Sequence, residues 1–254
     1  MLAPMPGLRT ERDGHVYRVT LAKPERRNAF DAALIAQLTE AFALVGDARL
    51  VVLSGEGPSF CAGADVEWQR SSIDLSYDEN VEDAMRLYEM CEAIDTCPAP
   101  VIARVHGYAL GGGSGLVACS DIAVAAPDAV FGFSEVRLGI IPAVISPFVL
   151  PKIGAYARRY FLTGERFDAD AALRIGLVHE ISDDPDAVVD ELAGAILSSG
   201  PDAIRAAKLL IRQRPTGAET ARIAAERRTS DEGQEGLRAF LDRRRASFAE
   251  GPEG

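Results

Sequence analysis

The stretch HGYALGGGSG, from His106 to Gly115, decides how the fold of this chain is interpreted. The apolar run VIARV (Val101–Val105) precedes it and the small-residue run GLVACS follows it, so the glycines lie where a strand passes into a helix. Glycine there permits positive φ angles and lets a ligand approach the bare backbone. The first turn of a helix also offers unpaired N–H groups. The stretch predicts a site for an anion, which we interpret as an oxyanion formed during a reaction; a glycine-lined contact between helix and sheet is the alternative.

Composition limits the class of protein. With 254 residues, of which 48% are hydrophobic and 26% charged, the chain can form one large domain or one domain with an appendage. A net charge of −11 argues against a nucleic-acid partner, because phosphate binding requires a basic face. No apolar run reaches the ~18 residues of a membrane span, and the first residues lack the pattern of a secretory signal. We therefore expect a cytoplasmic protein without a membrane partner.

The order of the predicted elements indicates an α/β fold. The predicted strands are His15–Leu21, Leu50–Ser54, Val101–Val105, Asp121–Ala126 and Val130–Phe133. Predicted helices run from Asp31 to about Val45, from Asp78 to Thr96, and from the glycine run to about Cys119. This alternation implies right-handed crossovers and a mainly parallel sheet. From Ala155 onward the pattern is helical, and the last helix is expected over about 231–249.

Three segments that follow predicted strands come together at the carboxyl edge of such a sheet. They are the loop Gly55–Asp65, the glycine run and Ser134–Glu135. N–H groups that converge from two loops can form an oxyanion hole. Glu135 lies among apolar neighbours, and partial burial would raise its pKa into the range of a general acid or base. The alternative for Glu135 is a surface or helix-capping carboxylate.

Spacing disfavours other kinds of site. The four cysteines show no C-x-x-C pair, and with only three scattered histidines a metal site is not expected. Ser114 suggests a nucleophile elbow, but Leu116 stands where G-x-S-x-G requires glycine. No lysine follows the glycine run as in a P-loop, so binding of a nucleoside triphosphate is poorly supported.

Several ordered motifs resemble the crotonase, or enoyl-CoA hydratase/isomerase, family. They are FCAGAD (Phe60–Asp65), GYALGGG (Gly107–Gly113) and FSEVRLGIIP (Phe133–Pro142). The resemblance implies a crotonase-like spiral of ββα units with a C-terminal helical trimerisation region. It assigns residues 1–190 to a core with the CoA site and active site, and residues 191–254 to a helical oligomerisation region. The expected assembly is a homotrimer or a dimer of trimers.

The resemblance also implies roles for individual residues. The N–H groups of Ala64 and Gly112 would form the oxyanion hole for a thioester, and Glu135 would be the catalytic carboxylate. The CoA and acyl channel would be lined by Ala62, Asp65, Val66 and Glu67, with Arg27 near the CoA phosphates. Coenzyme A enters as part of the acyl-CoA substrate, and no other cofactor and no metal is implied.

One position departs from the family's two-glutamate pattern. Typical hydratases carry a second glutamate two residues after the glycine triplet, where this chain has Gly115. The wider sequence resembles the branch of methylglutaconyl-CoA and isohexenylglutaconyl-CoA hydratases. We therefore expect a hydro-lyase that interconverts 3-methylglutaconyl-CoA and 3-hydroxy-3-methylglutaryl-CoA. A Δ3,Δ2-enoyl-CoA isomerase, an isohexenylglutaconyl-CoA hydratase and a non-catalytic acyl-CoA- or RNA-binding protein are the alternatives. Candidates for binding the distal carboxylate of the acyl group are Arg70, Arg137 and Lys152.

Overall fold

The computed structural model describes residues 6–249, in which strands and helices alternate. The strands are β1 (Leu8–Asp13), β2 (Val16–Leu21), β3 (Leu50–Gly55), β4 (Val101–Val105), β5 (Tyr108–Leu110), β6 (Ile122–Ala125), β7 (Val130–Gly132), β8 (Arg166–Asp168) and β9 (Glu180–Ile181). The helices are α1 (Ala32–Ala43), α2 (Val66–Ser71), α3 (Tyr77–Asp95), α4 (Gly112–Cys119), α5 (Ser146–Ile153), α6 (Ala157–Thr163), α7 (Ala169–Arg174), α8 (Pro185–Leu197), α9 (Pro201–Gln213), α10 (Ala218–Thr229) and α11 (Asp231–Leu241).

The larger sheet has six strands in the order β1-β2-β3-β4-β6-β9. All neighbours from β2 onward are parallel, as expected for strands joined by helical crossovers, and Val51 faces Val101 in the register of β3 with β4. Only β1 runs antiparallel, paired with β2 through a short turn. The sequence did not indicate β1, because it is a largely exposed edge strand in which Leu8 is the one buried residue.

The smaller sheet has three strands in the order β5-β7-β8. In this sheet β5 and β7 are parallel, and β8 is antiparallel to β7. The sequence indicated no strand between Val101–Val105 and the glycine triplet, whereas Tyr108–Leu110 forms β5. This strand is only three residues long and lies between two glycines with positive φ, Gly107 and Gly111. It is therefore too short to give a recognisable strand pattern in the sequence. The succession β4, β5, α4 and then β6, β7, α5 gives the expected ββα units.

Apolar side chains cover both faces of the larger sheet. The main core lies between the sheet and α1, α3, α4 and α5, and it includes Leu34, Leu53 and Ile94. The opposite face of the sheet presents Leu50, Val52 and Ile102, among others, to Val189 and Ala193 of α8. The expected boundary at residue 190 therefore falls inside α8. Because α8 completes the core, the helices outside it begin only after Leu197, and their role in oligomerisation stays a prediction.

The part of the chain after Ala155 is less purely helical than predicted. It contributes β8 to the smaller sheet and β9 to the larger one. The last helix ends at Leu241, because Arg243 adopts a positive φ of 54° and turns the chain. The remaining predicted length of that helix up to Ala249 is turn and coil. Residues 250–254 of the predicted oligomerisation region lie outside the described residues.

A buried ion pair attaches α9 to the larger sheet. The Nζ of Lys208, which is 7% exposed, donates to Asp121 Oδ2 at 2.7 Å and to the carbonyl oxygen of Ala99 at 3.1 Å. The same carboxylate oxygen accepts the backbone N–H of Val101 at 2.7 Å, at the start of β4. The pair therefore joins the C-terminal helices to the strand that leads into the glycine run.

Replacing the acidic partner should cost more stability than replacing the basic one. Asp121→Ala leaves the Lys208 ammonium buried without its counter-charge, and we expect a loss of about 3–5 kcal/mol in the free energy of unfolding. Lys208→Met should cost less, because the Asp121 carboxylate is 29% exposed and keeps its bond to Val101. Chemical denaturation of the two single variants and the double variant measures this difference. Equal losses in the two single variants would contradict it.

Candidate active site

A cavity of about 420 Å³ lies where the segments after β3, β5 and β7 meet. Its wall combines the segment Ala62–Ala64, the glycines Gly111 and Gly112, the pair Ser134–Glu135, and side chains from α2 and α3. The apolar lining includes Phe30, Trp68, Leu87, Ile140, Ile141 and Ile145. The side chains that bring polar groups to the wall are Gln69, Ser72, Asn80, Asp83, Ser134, Glu135 and Arg166. The structure thus brings together the three segments that the sequence placed at one edge of the sheet.

Backbone hydrogen bonds hold the segment 60–65 between two other parts of the chain. On one side, Phe60 N donates to His106 O at 2.9 Å and Leu110 N donates to Cys61 O at 3.0 Å. On the other side, Phe30 N donates to Gly63 O at 2.7 Å, and Asp65 N donates to the Phe30 carbonyl at 2.7 Å. Main-chain hydrogen bonds therefore fix the segment 60–65 on both sides.

The N–H groups of Ala64 and Gly112 are both available to a ligand. Phe30 bonds the residues on either side of Ala64, so the alternation of an extended chain turns the Ala64 N–H away from Phe30. Gly112 is the first residue of α4, where an N–H has no acceptor within its helix. Within residues 6–249, neither N–H donates to a protein acceptor. Both residues line the cavity, so their N–H groups are candidates for an oxyanion hole.

Glu135 lies directly against the glycine run. Gly111 has φ +52° and ψ −120°, a conformation that glycine adopts readily, and a Cβ there would lie 3.2 Å from Glu135 Oε1. The other carboxyl oxygen, Oε2, is buried without a hydrogen-bond partner among the described residues. Burial raises the pKa of the Glu135 carboxyl, and a hydrogen bond from its own backbone N–H offsets this only in part. A carboxyl group in this state can exchange a proton with a ligand held by the neighbouring N–H groups.

The position of the missing second glutamate is filled by an isoleucine. A Cβ added to Gly115 would lie 2.5 Å from Ile145 Cγ2 and 3.1 Å from Ile145 Cβ. Gly115 is buried, and Ile145 is 2% exposed at the wall of the cavity. The packing therefore excludes a side chain at Gly115, and Ile145 contributes an apolar surface where a second carboxylate would otherwise project.

Of the other residues that the resemblance assigns to the CoA and acyl channel, some line the cavity and others do not. Ala62 lines the cavity, and its contact with CoA or the acyl group stays a prediction. Asp65 instead caps α2 by accepting the N–H groups of Glu67 and Trp68, and a hydrogen bond from Arg26 lowers the pKa of its carboxyl. Val66 and Glu67 are exposed on α2 and do not line the cavity. The sequence did not predict α2, and its formation turns these side chains outward.

Two cationic side chains lie on the ring of Tyr108. The Arg27 guanidinium carbon is 5.5 Å from the ring centroid and that of Arg166 is 5.4 Å away. Arg27 itself does not line the cavity, whereas Arg166 does.

Arg166 is the basic residue at the cavity wall that the sequence did not single out. The three candidates for binding a distal carboxylate lie elsewhere. Arg70 pairs with Glu67, Lys152 donates to the carbonyl oxygen of Ser120, and Arg137 is exposed, and none of the three lines the cavity. No local motif marks Arg166, because its position depends on the pairing of β8 with β7.

The polar residues of the glycine run are bonded within the fold. The Ser114 hydroxyl donates to Ala109 O at 2.6 Å, and the His106 ring nitrogens contact Arg104 and the Gly57 carbonyl, each at 2.8 Å. Ser114 is therefore not placed as a nucleophile. In the described part of the chain, no three His, Cys, Asp or Glu side chains form a group that could hold a metal ion. None of the described helices is long and apolar enough to cross a membrane.

The contact between Gly115 and Ile145 predicts strong coupling between the two positions. Gly115→Glu should destabilise the protein because its Cβ overlaps Ile145, and Ile145→Ala should cost about 2–5 kcal/mol by leaving a cavity. The double variant should lose at least about 1 kcal/mol less than the sum of the single losses, since each change relieves the other. A double-mutant cycle of denaturation midpoints measures the coupling. Additive losses would contradict the packing described here.

The buried carboxyl of Glu135 predicts a pH-dependent gain in stability for Glu135→Gln. Because the folded-state pKa is raised above its ordinary value of 4.5, ionisation at pH 7 destabilises the folded wild type. This penalty is fully present above the raised pKa and disappears as the pH falls from there towards 4.5. The variant should therefore melt at a higher temperature than the wild type at pH 7, and the difference should vanish in acid. A constant difference across this range would contradict the prediction.

Comparison with known proteins agrees with this geometry. The model of the enoyl-CoA hydratase/isomerase family matches residues 11–251. A cyclohexa-1,5-dienecarbonyl-CoA hydratase of Thauera aromatica is 33% identical over 251 residues, which is 94% of each chain. A crotonyl-CoA hydratase of Syntrophomonas wolfei is 32% identical over 241 residues, covering 89% of this chain and 91% of the relative. The crystal structure of an enoyl-CoA hydratase from Shewanella pealeana superimposes with a TM-score of 0.90 at 38% identity over 96% of each chain, which confirms the predicted α/β fold. The chain belongs to the enoyl-CoA hydratase/isomerase family.

Proposed function

We propose that this protein is a hydro-lyase that interconverts 3-methylglutaconyl-CoA and 3-hydroxy-3-methylglutaryl-CoA with Glu135 as its only acid–base residue. The broader activity, enoyl-CoA hydratase chemistry on acyl-CoA thioesters, follows from the family and from its hydratase relatives. The single observation that carries the proposal is the arrangement of Glu135 Oε1 against Gly111, beside two free N–H groups. The choice of substrate rests on the resemblance of the wider sequence to the methylglutaconyl-CoA hydratase branch.

One carboxyl group can perform the dehydration. The Glu135 carboxylate removes a proton from C2 of the substrate, and the electron pair moves onto the thioester oxygen, where the N–H groups of Ala64 and Gly112 stabilise the enolate. The enolate then expels the C3 hydroxyl and forms the C2=C3 double bond. Glu135 returns its proton to the departing hydroxyl, which leaves as water. Hydration follows the same steps in reverse, with Glu135 activating the water.

Among the described residues that line the cavity, the other carboxylate already has a cationic partner. Asp83 projects from α3 and forms an ion pair with Arg86 at 2.9 Å, whereas Glu135 lies beside the glycine run. With Ile145 against Gly115, Glu135 carries both the proton of C2 and the proton of water.

The same single carboxyl group also favours a second candidate, a Δ3,Δ2-enoyl-CoA isomerase. In that reaction Glu135 would remove a proton from C2 of a 3-enoyl-CoA and return it to C4. No second base is needed, because no water is added. The two candidates therefore share the oxyanion hole and differ in whether the cavity admits water beside Glu135.

The C-terminal helices support the proposal of a homotrimer or a dimer of trimers. Several large apolar side chains on α9 and α11 are exposed in the single chain, and Phe240 is 80% exposed. They are Leu209, Leu210, Ile211, Leu237, Phe240 and Leu241. Apolar surface of this kind is typical of interfaces between subunits. Sedimentation of the purified protein would determine the number of chains.

The function is tested by the dehydration of 3-hydroxy-3-methylglutaryl-CoA, followed by the absorbance of the unsaturated thioester. We expect turnover of this ester well above the hydration of crotonyl-CoA. Glu135→Gln should lower the rate by about a thousandfold or more, because it removes the proton carrier, while it keeps the affinity for the ester. Near-normal turnover by this variant would overturn the assigned role. Double-bond migration in a 3-enoyl-CoA without any hydration would favour the isomerase instead.

A further inference from the structure

The acyl-CoA cavity has an arginine–tyrosine cluster beside it, formed by Arg27, Tyr108 and Arg166. The cluster lies on one face of the smaller sheet, to which Tyr108 and Arg166 both belong. Leu110 of β5, Gly132 of β7 and Arg166 of β8 stand in register across the sheet, on the same face as Tyr108. The opposite face of the sheet is buried through Ala109, Phe131 and Phe167.

The Arg166 side chain crosses β7 at Gly132 towards Tyr108. Arg166 lies two strand spacings from Leu110, about 10 Å, so its side chain must pass over the intervening strand to reach the ring of Tyr108. A Cβ at Gly132 would lie 3.5 Å from Arg166 Cγ and 3.4 Å from a methyl carbon of Leu110. These distances place the methylene chain of the arginine directly beside Gly132.

Neither arginine of the cluster has a carboxylate partner among residues 6–249. Two other arginines stack on tyrosine rings in this protein, Arg12 on Tyr17 and Arg159 on Tyr160, and each also forms an ion pair, with Asp47 and Glu165 respectively. Arg27 and Arg166 form no ion pair with any described residue. Two guanidinium groups thus share one ring without a counter-charge, in a chain whose net charge is −11.

The acidic side chains of β8 and of the residue before it have partners outside the cluster. Asp168 accepts the N–H of Ala171 and caps α7. Glu165 pairs with Arg159, and the resulting hydrogen bond lowers the pKa of its carboxyl. Neither of these two carboxylates forms an ion pair with an arginine of the cluster, and the cluster adjoins the cavity holding Glu135 through Arg166, which lines the cavity wall.

We infer that the Arg27–Tyr108–Arg166 cluster binds an anionic oxygen group of the acyl-CoA, with Arg166 as the residue that contacts it from within the cavity. Guanidinium groups bind carboxylate and phosphate with the same paired geometry. An acyl-CoA offers both groups, as a carboxylate on the acyl chain or as the phosphates of coenzyme A. The inference rests on the proposed function only in taking an acyl-CoA thioester as the ligand.

Calorimetric titration of the full-length protein tests this with three unreactive ligands. Butyryl-CoA carries phosphates without an acyl carboxylate, glutaryl-CoA carries both, and S-glutarylpantetheine carries the carboxylate without the CoA phosphates. The test variant is Arg166→Met, which keeps the chain over Gly132 and removes the charge. The matched control is Arg174→Met, which removes an exposed arginine from α7, away from the cavity wall.

The pattern of lost affinity identifies the group that is bound. We expect Arg166→Met to weaken binding by about tenfold or more for the ligands that present that group. A loss for butyryl-CoA and glutaryl-CoA alike, with S-glutarylpantetheine unchanged, identifies a phosphate. A loss for glutaryl-CoA and S-glutarylpantetheine, with butyryl-CoA unchanged, identifies the acyl carboxylate. Compared with Arg166→Met, Arg166→Lys should bind more tightly, because lysine keeps the positive charge. It should not restore the full affinity, because lysine lacks the paired N–H donors of the guanidinium.

Other patterns would overturn the inference. These are affinities within twofold of the Arg174→Met control for every ligand, or an equal loss for all three, which indicates general damage to the site. If Arg166→Met fails to fold, Tyr108→Leu removes the shared ring and is tested in the same way. None of the ligands can be hydrated or dehydrated, so the result does not depend on turnover. Expected binding without dehydration of 3-hydroxy-3-methylglutaryl-CoA would contradict the proposed function and leave this inference standing.

Discussion

The main-chain contact between the segment 60–65 and the residues around the glycine run is the constraint on which the active site depends. Cys61 accepts the N–H of Leu110, and a side chain at Gly113 would overlap the carbonyl oxygen of Cys61. The two backbones therefore approach as closely as they can. Because Ala64 and Gly112 lie on opposite sides of this contact, it also fixes the relative position of their N–H groups. Because the donors of this site are backbone N–H groups, their positions depend on how firmly the main chain is fixed.

The position of Glu135 follows from the same contact. Its segment leaves β7, which pairs with β5, and β5 leads directly into the glycine run. A carboxyl group placed there is withdrawn from water on the protein side, while the cavity reaches it from the other side. Its raised pKa and its closeness to the N–H groups are two results of one arrangement. The packing that buries the Glu135 carboxyl therefore also sets its pKa and its position beside the N–H groups.

The sequence was a good guide where local signals coincide with the site. The strand before the glycines, the helix after them and the buried carboxylate at Glu135 were all predictable from residue type and order. Three features were not. The short strand β5 has too few residues for a periodic pattern, the contact of Ile145 with Gly115 joins residues 30 positions apart, and Arg166 reaches the cavity only through the register of β8 with β7. Each depends on pairing or packing between distant segments, which the order of residues along the chain does not display.

The packing of Ile145 against Gly115 has a consequence for how such a site can change over evolutionary time. Adding a second carboxylate at Gly115 would first create an overlap, and removing the isoleucine first would leave an empty space in a tightly packed wall. We expect both single-substitution intermediates to be less stable than the starting protein, so the two changes would have to arise together. The packing of Ile145 against Gly115 therefore opposes the gain of a second carboxylate at this position. New specificities are more accessible through the rim of the cavity than through its acid–base residues.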